Sequence, residues 1–519
     1  MARFFNSKAL QTGTDPKTGD ALAQPPSPKT RNLVARAPGK LGTISSLAVR
    51  TRARSTSADG SPAAAQSSDQ NSPRDLISPE SVPGLTSRAF GETSTGTDSR
   101  PFMVTVGNIA LFLYLISGEL NDLSHHFIGT NAYVSWISEG LIAVALLSSG
   151  TGLRAWRSWV GKLWVLLLIL MICSIPGSEW PGQSFRSAVN YSLRSTLVFF
   201  AVCAFVTDAR TMKTAILGEV TSGVLLLIGC LTMGGTAPGG DRFLLEGSYF
   251  YGGANDLAIG LTVASGFFLY WMVQKNLFKV LVGGSALLAS IYFLMKTGSR
   301  GGFLAMAILV LVSIIFSASY RWRLVPIVLL APAMFFLVPS DLVHRLSYVF
   351  LDTSSARAST AADTASLASQ EERTYMFWRS VDLMWSHPIF GVGMDCFIDT
   401  IFREDTERHE HTAALGTHNS YTQIGCECGI PALLVYLSIL WISLRRTYRV
   451  FRESGGVPGL EIFPAASLCL FSSVIGVSAA LFFYHAAYSP IIPILTGLMA
   501  GISQAFSHER PAALEHAAV

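Results

Sequence analysis

The chain has 519 residues, of which half are hydrophobic and only 14% are charged, and its mean hydropathy is +0.41. Soluble domains usually carry about 25% charged residues, so this composition excludes an ordinary soluble domain and predicts a polytopic membrane protein. The formal net charge is +4, and residues 1–54 hold ten Lys and Arg against two Asp.

The first hundred residues differ in composition from the rest. Residues 1–100 are rich in Ser, Thr, Pro, Ala and Gly and poor in aromatic residues. Such a segment cannot bury enough apolar surface to offset its ordering entropy, which predicts a disordered tail. No apolar core precedes residue 101, which argues against a signal peptide. The basic half is suited to an anionic cytoplasmic leaflet, but a solvated tail without a specific role is the simpler interpretation.

From residue 101 onward the chain contains apolar runs of membrane length, which is about 20 residues. They predict an all-α fold of about twelve transmembrane helices, at residues 102–118, 132–150, 158–176, 188–207, 213–233, 253–273, 277–295, 300–318, 323–338, 427–444, 464–484 and 486–505. Only YHAAYSP separates the last two runs, so eleven helices are the alternative count.

The loops between these runs alternate in charge. Short basic loops lie at residues 151–157, 207–213, 273–279, 319–323 and 445–454, whereas the intervening loops are acidic or mixed. The positive-inside rule therefore predicts cytoplasmic termini and one large external loop. The predicted regions are the tail at 1–100, nine helices over 101–338, the external loop at 339–426, three helices over 427–505 and a cytoplasmic C-terminal tail at 506–519.

The external loop contains the stretch EERTYMFWRSVDLMWSHPIFG. Apolar residues at 376, 377, 381 and 384 have helical spacing. Tyr375, Trp378 and Trp385 suit a membrane–water interface. These features predict an amphipathic helix on the outer leaflet, ended by Pro388 and Gly391.

Three arginines on the predicted outer side are candidates for chemistry. Arg300, in KTGSRGGFLAM, starts an apolar run where the charge rule does not favour a cation, so it either faces a functional cavity or extends to the headgroups. Arg373 stands beside Glu371 and Glu372 and, taken alone, is a surface residue. Arg242 precedes the polar pair Asn255 and Asp256, which enters the next apolar run as a buried polar site or, for Asn255, as a helix cap.

The stretch THNSYTQIGCECGIP precedes another apolar run. Cys426 and Cys428 have no second Cys pair, and a structural zinc site needs four ligands, so no metal is predicted even with His409 and His411 upstream. Asn419 or Ser420 is a natural N-cap, and Gln423 and Glu427 share a helical face. His418 then lies just outside a helix, where a general base is reachable.

Three of these stretches, in this order, resemble the O-antigen ligase/O-antigen polymerase superfamily of bacterial envelope glycan enzymes. They are GSRGGFLAM, ERTYMFWRSVDLMWSHPIFGVGMDCF with its Arg, Trp and Pro-x-x-Gly-x-Gly pattern, and THNSYTQIGCECGIPALLVYL. SYFYGGANDLAIGL is a weaker fourth match. The likeness covers residues 240–445 closely and 101–505 in outline. The Cys-Glu-Cys-Gly sequence departs from the commoner small or apolar residues there.

The resemblance implies transfer of a glycan from a polyprenyl-diphosphate carrier to an acceptor hydroxyl, at the periplasmic face of the bacterial inner membrane and without cofactors. Arg300 and Arg373, with Arg242 as a less secure third, match residues that bind the diphosphate, a task suited to guanidinium groups. His418 matches the catalytic base. Asn419, Tyr421, Gln423 and Glu427 are expected to orient His418 or to bind sugar.

Several alternatives stay open at this point. The acceptor is lipid A-core in a ligase and another carrier-linked glycan in a polymerase, for which a chain-length regulator is a possible partner. A protein acceptor is less favoured, because no extra external domain is visible. The other functional class is a transporter or flippase, whose layout often has twelve spans, but the sequence shows no internal repeat. No nucleic-acid partner is expected.

Overall fold

The computed structural model describes residues 99–236, 242–317, 321–337, 361–408 and 415–518. The predicted tail lies outside these residues, apart from its last two positions, as do residues 339–360 and 409–414 of the predicted external loop. The described part contains seventeen α-helices. They are α1 Ser99–Leu115, α2 Ser117–Ile128, α3 Val134–Ser149, α4 Trp159–Ser174, α5 Pro181–Asn190, α6 Leu197–Phe205, α7 Ala209–Thr232, α8 Ala254–Met272, α9 Leu277–Lys296, α10 Arg300–Phe316, α11 Arg321–Ala333, α12 Ala361–Ser386, α13 Phe397–Arg408, α14 Ser420–Cys428, α15 Ile430–Ser454, α16 Ile462–Leu481 and α17 Ile491–Ala518.

Short irregular segments complete the described chain. A 3₁₀ turn spans Thr151–Arg157, a π-helical segment at Tyr191–Thr196 joins α5 to α6, and a second 3₁₀ turn, Met334–Leu337, follows α11. Strands β1, Gly234–Thr236, and β2, Phe243–Leu245, pair antiparallel with Gly234 opposite Leu245. This small hairpin leads the chain into α8.

Every predicted apolar run overlies a helix, but the predicted twelve spans are not confirmed. Among the described residues, six helices are long and apolar enough to cross a membrane, or up to eight if each bent pair is one span. The axes of α1 and α2 differ by 56°, and those of α3 and the following 3₁₀ turn by 85°. The remaining runs form shorter or more polar helices, such as α4, α10 and α11.

Small residues let the central helices approach closely. A Cβ on Gly266 of α8 would lie 1.7 Å from Oγ of Ser473 on α16, and one on Gly476 of α16 would lie 2.9 Å from Cβ of Leu309 on α10. Glycine is therefore required at both contacts, as is common where membrane helices pack. This packing places the N-terminal end of α10 beside the segment that follows α16.

The helices between α11 and α15 form a separate apolar cluster. A helix is present over the predicted amphipathic stretch, and it ends at Ser386, just before Pro388. Its apolar side packs with α13 and α14 through Met376, Leu383, Val392, Phe397, Ile401 and Cys426. Arg379 of α12 pairs with Glu404 of α13 at 2.5 Å. Trp378 and Trp385 remain exposed on the other side, and their contact with a membrane stays a prediction.

Candidate active site

His418 lies at the entrance to α14, in the turn that the sequence predicts. Asn419 is the N-cap, and its Oδ1 accepts hydrogen bonds from the backbone N of Tyr421 at 2.9 Å and of Thr422 at 3.0 Å. His418 itself has a φ of 52°. This left-handed conformation is uncommon outside glycine and is found mostly where the surrounding structure imposes it. The neighbouring Thr417 hydroxyl, which donates to the Asn419 carbonyl at 2.9 Å, helps to hold the turn.

A second histidine, which the sequence interpretation did not single out, contacts the first. His485 lies in the segment between α16 and α17, and its ring meets that of His418 edge to face, with centroids 5.2 Å apart. In the described part of the chain, Nδ1 of each ring is buried and has no hydrogen-bond partner. A Cβ on Gly416 would lie 2.9 Å from the His485 ring, so glycine allows this approach.

Arg373 of α12 lies within electrostatic reach of both rings. Burial, then the charge of Arg373 and then His485, together lower the pKa of His418 to about 4. Burial, followed by Arg373, also lowers the pKa of His485. Both imidazoles are therefore neutral at neutral pH. A neutral ring is the form that can accept a proton.

Arg300 is the first residue of α10, and its side chain contacts α12, the helix that carries Arg373. Its NH1 donates to Oε1 of Gln370 at 3.1 Å. Gln370 and Arg373 are three residues apart on α12, so they occupy the same helical face. The structure thus brings Arg300, Arg373 and His418 together from three separate segments. A Cβ on Gly301 would lie 2.7 Å from the Cβ of Phe483, so glycine allows α10 to approach the segment that carries His485.

Arg242 braces the turn that precedes Arg300. Its Nε donates to the Thr297 carbonyl at 2.9 Å, and its NH2 donates to Oδ1 of Asn255 at 2.8 Å. The same Oδ1 accepts from the Ser299 hydroxyl at 2.9 Å. Asn255 therefore does not cap α8, whose N-cap is Gly253 without a side-chain bond. These contacts give Arg242 a positioning role toward Arg300.

Three motif residues hold the His485 segment. Nδ2 of Asn419 donates to the Phe482 carbonyl at 3.1 Å, and the Tyr421 hydroxyl donates to the Ser478 carbonyl at 2.8 Å. Oε1 of Gln423 accepts from the backbone N of Ala487 at 3.3 Å. Their side chains therefore set the position of His485 relative to His418, whereas sugar binding by them stays a prediction.

Ser420 and Tyr484 tighten the same segment. The Ser420 hydroxyl donates to the Tyr484 carbonyl at 2.6 Å and accepts from the backbone N of Ala486 at 2.8 Å. The Tyr484 hydroxyl donates to Asp256 of α8, and its ring lies 5.1 Å from that of His485. A carboxylate on α8 is thereby connected to the histidine pair through one aromatic side chain.

Glu427 has a different position from the one expected of it. It lies nine residues beyond His418, at the opposite end of α14. Its carboxylate accepts from the backbone N of Asp395 at 3.0 Å, from that of Phe397 at 3.2 Å and from the Tyr488 hydroxyl at 2.6 Å. The residue fastens the loop before α13 and does not contact His418.

The Pro-x-x-Gly-x-Gly stretch lies along α14. The backbone N of Val392 donates to the Cys426 carbonyl and that of Gly393 to the Glu427 carbonyl, both at 2.9 Å. Gly391 has a φ of 67°, and a Cβ there would lie 2.3 Å from the Glu427 backbone. The glycines of this motif are thus explained by a close backbone contact.

The cysteines serve packing in this part of the fold. Cys426 and Cys428 are buried and free, and the Cys428 sulfur lies 3.5 Å from the Tyr488 hydroxyl. Within the described ranges, no group of three or more His, Cys, Asp or Glu side chains is arranged to hold a metal ion. His409 and His411 lie outside those ranges.

Comparison with known proteins identifies part of the chain. Residues 285–437 match the sequence family described as O-antigen ligase. The match includes Arg300, Arg373 and His418 but neither Arg242 nor His485. No curated protein matches the chain. The family match confirms the resemblance predicted from the sequence motifs.

Proposed function

We propose that this chain, whose residues 285–437 match the family described as O-antigen ligase, moves a glycan from a polyprenyl-diphosphate carrier to an acceptor hydroxyl. The family match and the apolar helices support a membrane-embedded glycan transferase in general. The observation that supports the more specific reaction is the convergence of Arg300, Arg373 and His418 described above. Two cations beside a neutral base fit an anionic leaving group next to a proton acceptor.

The arginines bind the diphosphate of the donor. A guanidinium group presents a rigid fork of donors that matches phosphate oxygens. Charge accumulates on the diphosphate as the sugar departs, and pre-placed cations in a site of low dielectric stabilise that charge. Arg242 contributes by holding the turn from which Arg300 projects.

His418 accepts the acceptor's proton. The acceptor oxygen attacks the anomeric carbon, a new carbon–oxygen bond forms, and the bond from that carbon to the diphosphate oxygen breaks. The electron pair of the broken bond leaves with the diphosphate, and the proton of the attacking hydroxyl passes to the imidazole. Direct displacement of this kind inverts the anomeric carbon.

Donor binding strengthens the base. Without the donor, Arg373 lowers the pKa of His418, whose value is about 4. The negative charge of a bound diphosphate offsets the charge of Arg373, so the pKa of His418 rises toward the working pH. His418 therefore becomes an effective base only when the leaving group is in place.

The acceptor and the location follow from the predicted topology. The acceptor is a sugar hydroxyl of lipid A-core or of a second carrier-linked glycan, and both substrates are anchored in the bilayer. We place the site at the periplasmic face of the inner membrane, with twelve spans and both termini in the cytoplasm. Helices at all twelve predicted runs and the alternation of basic loops support this placement.

A reconstituted transfer assay tests the proposal. The full-length chain in proteoliposomes is given a polyprenyl-diphosphate-linked glycan and each acceptor in turn. We expect Arg300→Ala, Arg373→Ala and His418→Ala each to lower transfer by about 100-fold or more, and Arg300→Lys to remain poor because lysine lacks the planar fork. Arg186→Ala, an exposed arginine of α5, is the matched control. Wild-type transfer by the His418 variant at equal expression would show that the base is a different residue.

A further inference from the structure

A cavity of about 920 Å³ lies at the far end of α15 and α17 from the histidine pair. Four segments form its wall: the 3₁₀ turn before α4, the residues that lead into α7, the last turns of α15 and the second half of α17. Six basic residues line it, namely Arg154, Arg157, Arg446, Arg449, His508 and Arg510. None of them belongs to the proposed transfer site.

The negative charge in the wall is smaller and already engaged. The acidic residues that line the cavity are Asp208 and Glu453. Oδ1 of Asp208 accepts from the backbone N of Thr211 at 2.8 Å as the cap of α7. Glu453 pairs with Arg510 at 2.7 Å. Neither carboxylate neutralises the remaining arginines.

Three arginines are therefore available to a ligand. In the part of the chain that the structure describes, Arg157, Arg446 and Arg449 make no hydrogen bond or ion pair with protein groups. Arg446 and Arg449 are three residues apart on α15, where like charges repel each other. A bound anion would remove that repulsion and give each guanidinium group an acceptor.

The position of the cavity along α15 indicates the kind of anion. Arg449 follows Ile430, the first residue of α15, by nineteen positions, which is about 28 Å along the helix. The hydrocarbon core of a bilayer is about 30 Å thick. If the histidine end of α15 lies at one headgroup layer, the arginines lie at the other, where lipid phosphates are present.

We propose that this arginine cavity binds phosphate groups, as carried by the headgroup of an anionic phospholipid in the leaflet opposite the transfer site. Guanidinium forks recognise phosphate oxygens in pairs. Arginines from two separate segments, the turn before α4 and α15, can hold more than one phosphate, so a headgroup with two phosphates is favoured. The bound lipid connects α15 to the turn before α4.

Full-length protein in nanodiscs tests this site. Melting temperature and retained lipid, by native mass spectrometry, are compared between phosphatidylcholine alone and phosphatidylcholine with cardiolipin. We expect cardiolipin to raise the melting temperature of the wild type and to remain bound. Arg446→Gln with Arg449→Gln should weaken binding roughly 30-fold, because each arginine near an anionic surface contributes a factor of about five. Arg157→Gln, on another wall, should weaken it about fivefold.

Arg452→Gln is the matched control. Arg452 is exposed on the same helix, one turn beyond Arg449, and does not line the cavity. If Arg452→Gln weakens binding as much as the double variant, the cavity arginines are not a specific site. The site is also ruled out if neither cardiolipin nor the free ions stabilise the protein in a way that depends on the cavity arginines. If the double variant does not fold, Arg157→Gln alone decides between these results.

Inorganic phosphate and diphosphate separate the two sources of the anion. Each is titrated into nanodiscs of phosphatidylcholine alone. Stabilisation by cardiolipin but not by the free ions assigns the site to lipid headgroups. Stabilisation by the free ions that the double variant abolishes keeps the phosphate site but assigns it to a soluble anion, which overturns the lipid assignment.

Discussion

Buried polar groups at the two ends of the nine-residue helix α14 differ in their hydrogen bonding. At the C-terminal end, the Glu427 carboxylate accepts hydrogen bonds from two backbone N–H groups and from the Tyr488 hydroxyl. At the N-terminal end, Nδ1 of His418 and Nδ1 of the adjacent His485 are buried without a partner among the described residues. The carboxylate at the C-terminal end accepts three hydrogen bonds, whereas the two Nδ1 atoms at the N-terminal end have no partner among the described residues.

Within a single motif, this difference distinguishes Glu427, which holds a loop in place, from His418, which is proposed to act in the reaction. A buried polar atom without a partner destabilises a fold by about 1–3 kcal/mol, and in His418 that atom belongs to a ring that can accept a proton. The left-handed φ of His418 adds strain at the same point. Glu427, in contrast, stabilises the loop that carries the glycines of the Pro-x-x-Gly-x-Gly stretch. Substitutions at the two ends should therefore affect different measurements.

The largest effect on rate is expected at the His418 end. His418→Gln keeps the size of the side chain but removes the base, so transfer should fall by a factor of about 10²–10⁴. Its melting temperature should stay near that of the wild type, because the ring makes few hydrogen bonds to lose. The check is kcat in the proteoliposome assay beside thermal unfolding of the same preparation. A variant that loses stability but not rate would contradict the comparison.

The second effect concerns Arg373 and pH. Arg373→Ala should lower transfer by about 10²–10³, as for loss of one charge-stabilising donor. It should also raise the pKa of His418, since Arg373 lowers that pKa in the native protein. The neutral ring is the base, so kcat/KM of the wild type should fall only as the pH falls through about 4. The same fall should begin at higher pH in the variant.

Stability should show the same sign of pH dependence. The folded pKa of His418 lies below its usual value near 6.5, so the unfolded chain binds more protons between about pH 6.5 and 4. His418 therefore favours the folded state fully above about pH 6.5, and this contribution is lost as the pH falls toward 4. The melting temperature should therefore change less with pH over that range in His418→Gln than in the wild type. An equal change with pH in both proteins would show that other groups cause it.

The third effect belongs to the other end of α14. Glu427→Gln removes one acceptor oxygen and turns an amide donor toward backbone N–H groups, so it should reduce the free energy of unfolding by about 1–3 kcal/mol. The rate per folded molecule should change by no more than a few fold. Glu407→Gln, an exposed acid on α13, is the control for charge. A large loss of rate with unchanged stability would show that Glu427 takes part in the transfer reaction.

Local sequence features predicted where the helices form, whereas the predicted number of spans is not confirmed. An apolar run determines where a helix forms, because burial and backbone hydrogen bonding act over neighbouring residues. Whether that helix crosses a bilayer also depends on bends such as the 56° break between α1 and α2, which hydropathy does not encode. The N-cap of α14 was predictable, since Asn419 acts locally.

The site was predictable only where a motif existed. Arg300, Arg373 and His418 stand out by their order along the chain, and the structure brings them together. His485 lies beyond the family match, and its signal is only a Tyr-His pair that interrupts an apolar run. Glu427 shares a helical face with Gln423, but spacing on a helix does not reveal which distant loop a carboxylate holds. Such contacts depend on tertiary structure.

The smallest effect tests whether His485 belongs with His418. A Cβ on Gly416 would lie 2.9 Å from the His485 ring, so Gly416→Ala should displace that ring by a few tenths of an ångström and lower transfer severalfold. Gly140→Ala, with open space around its Cβ, is the control. In a His485→Ala background the ring is gone, and Gly416→Ala should then have no further effect on rate. Equal effects in both backgrounds would assign the loss to the backbone of residue 416, because only residues that interact give non-additive changes.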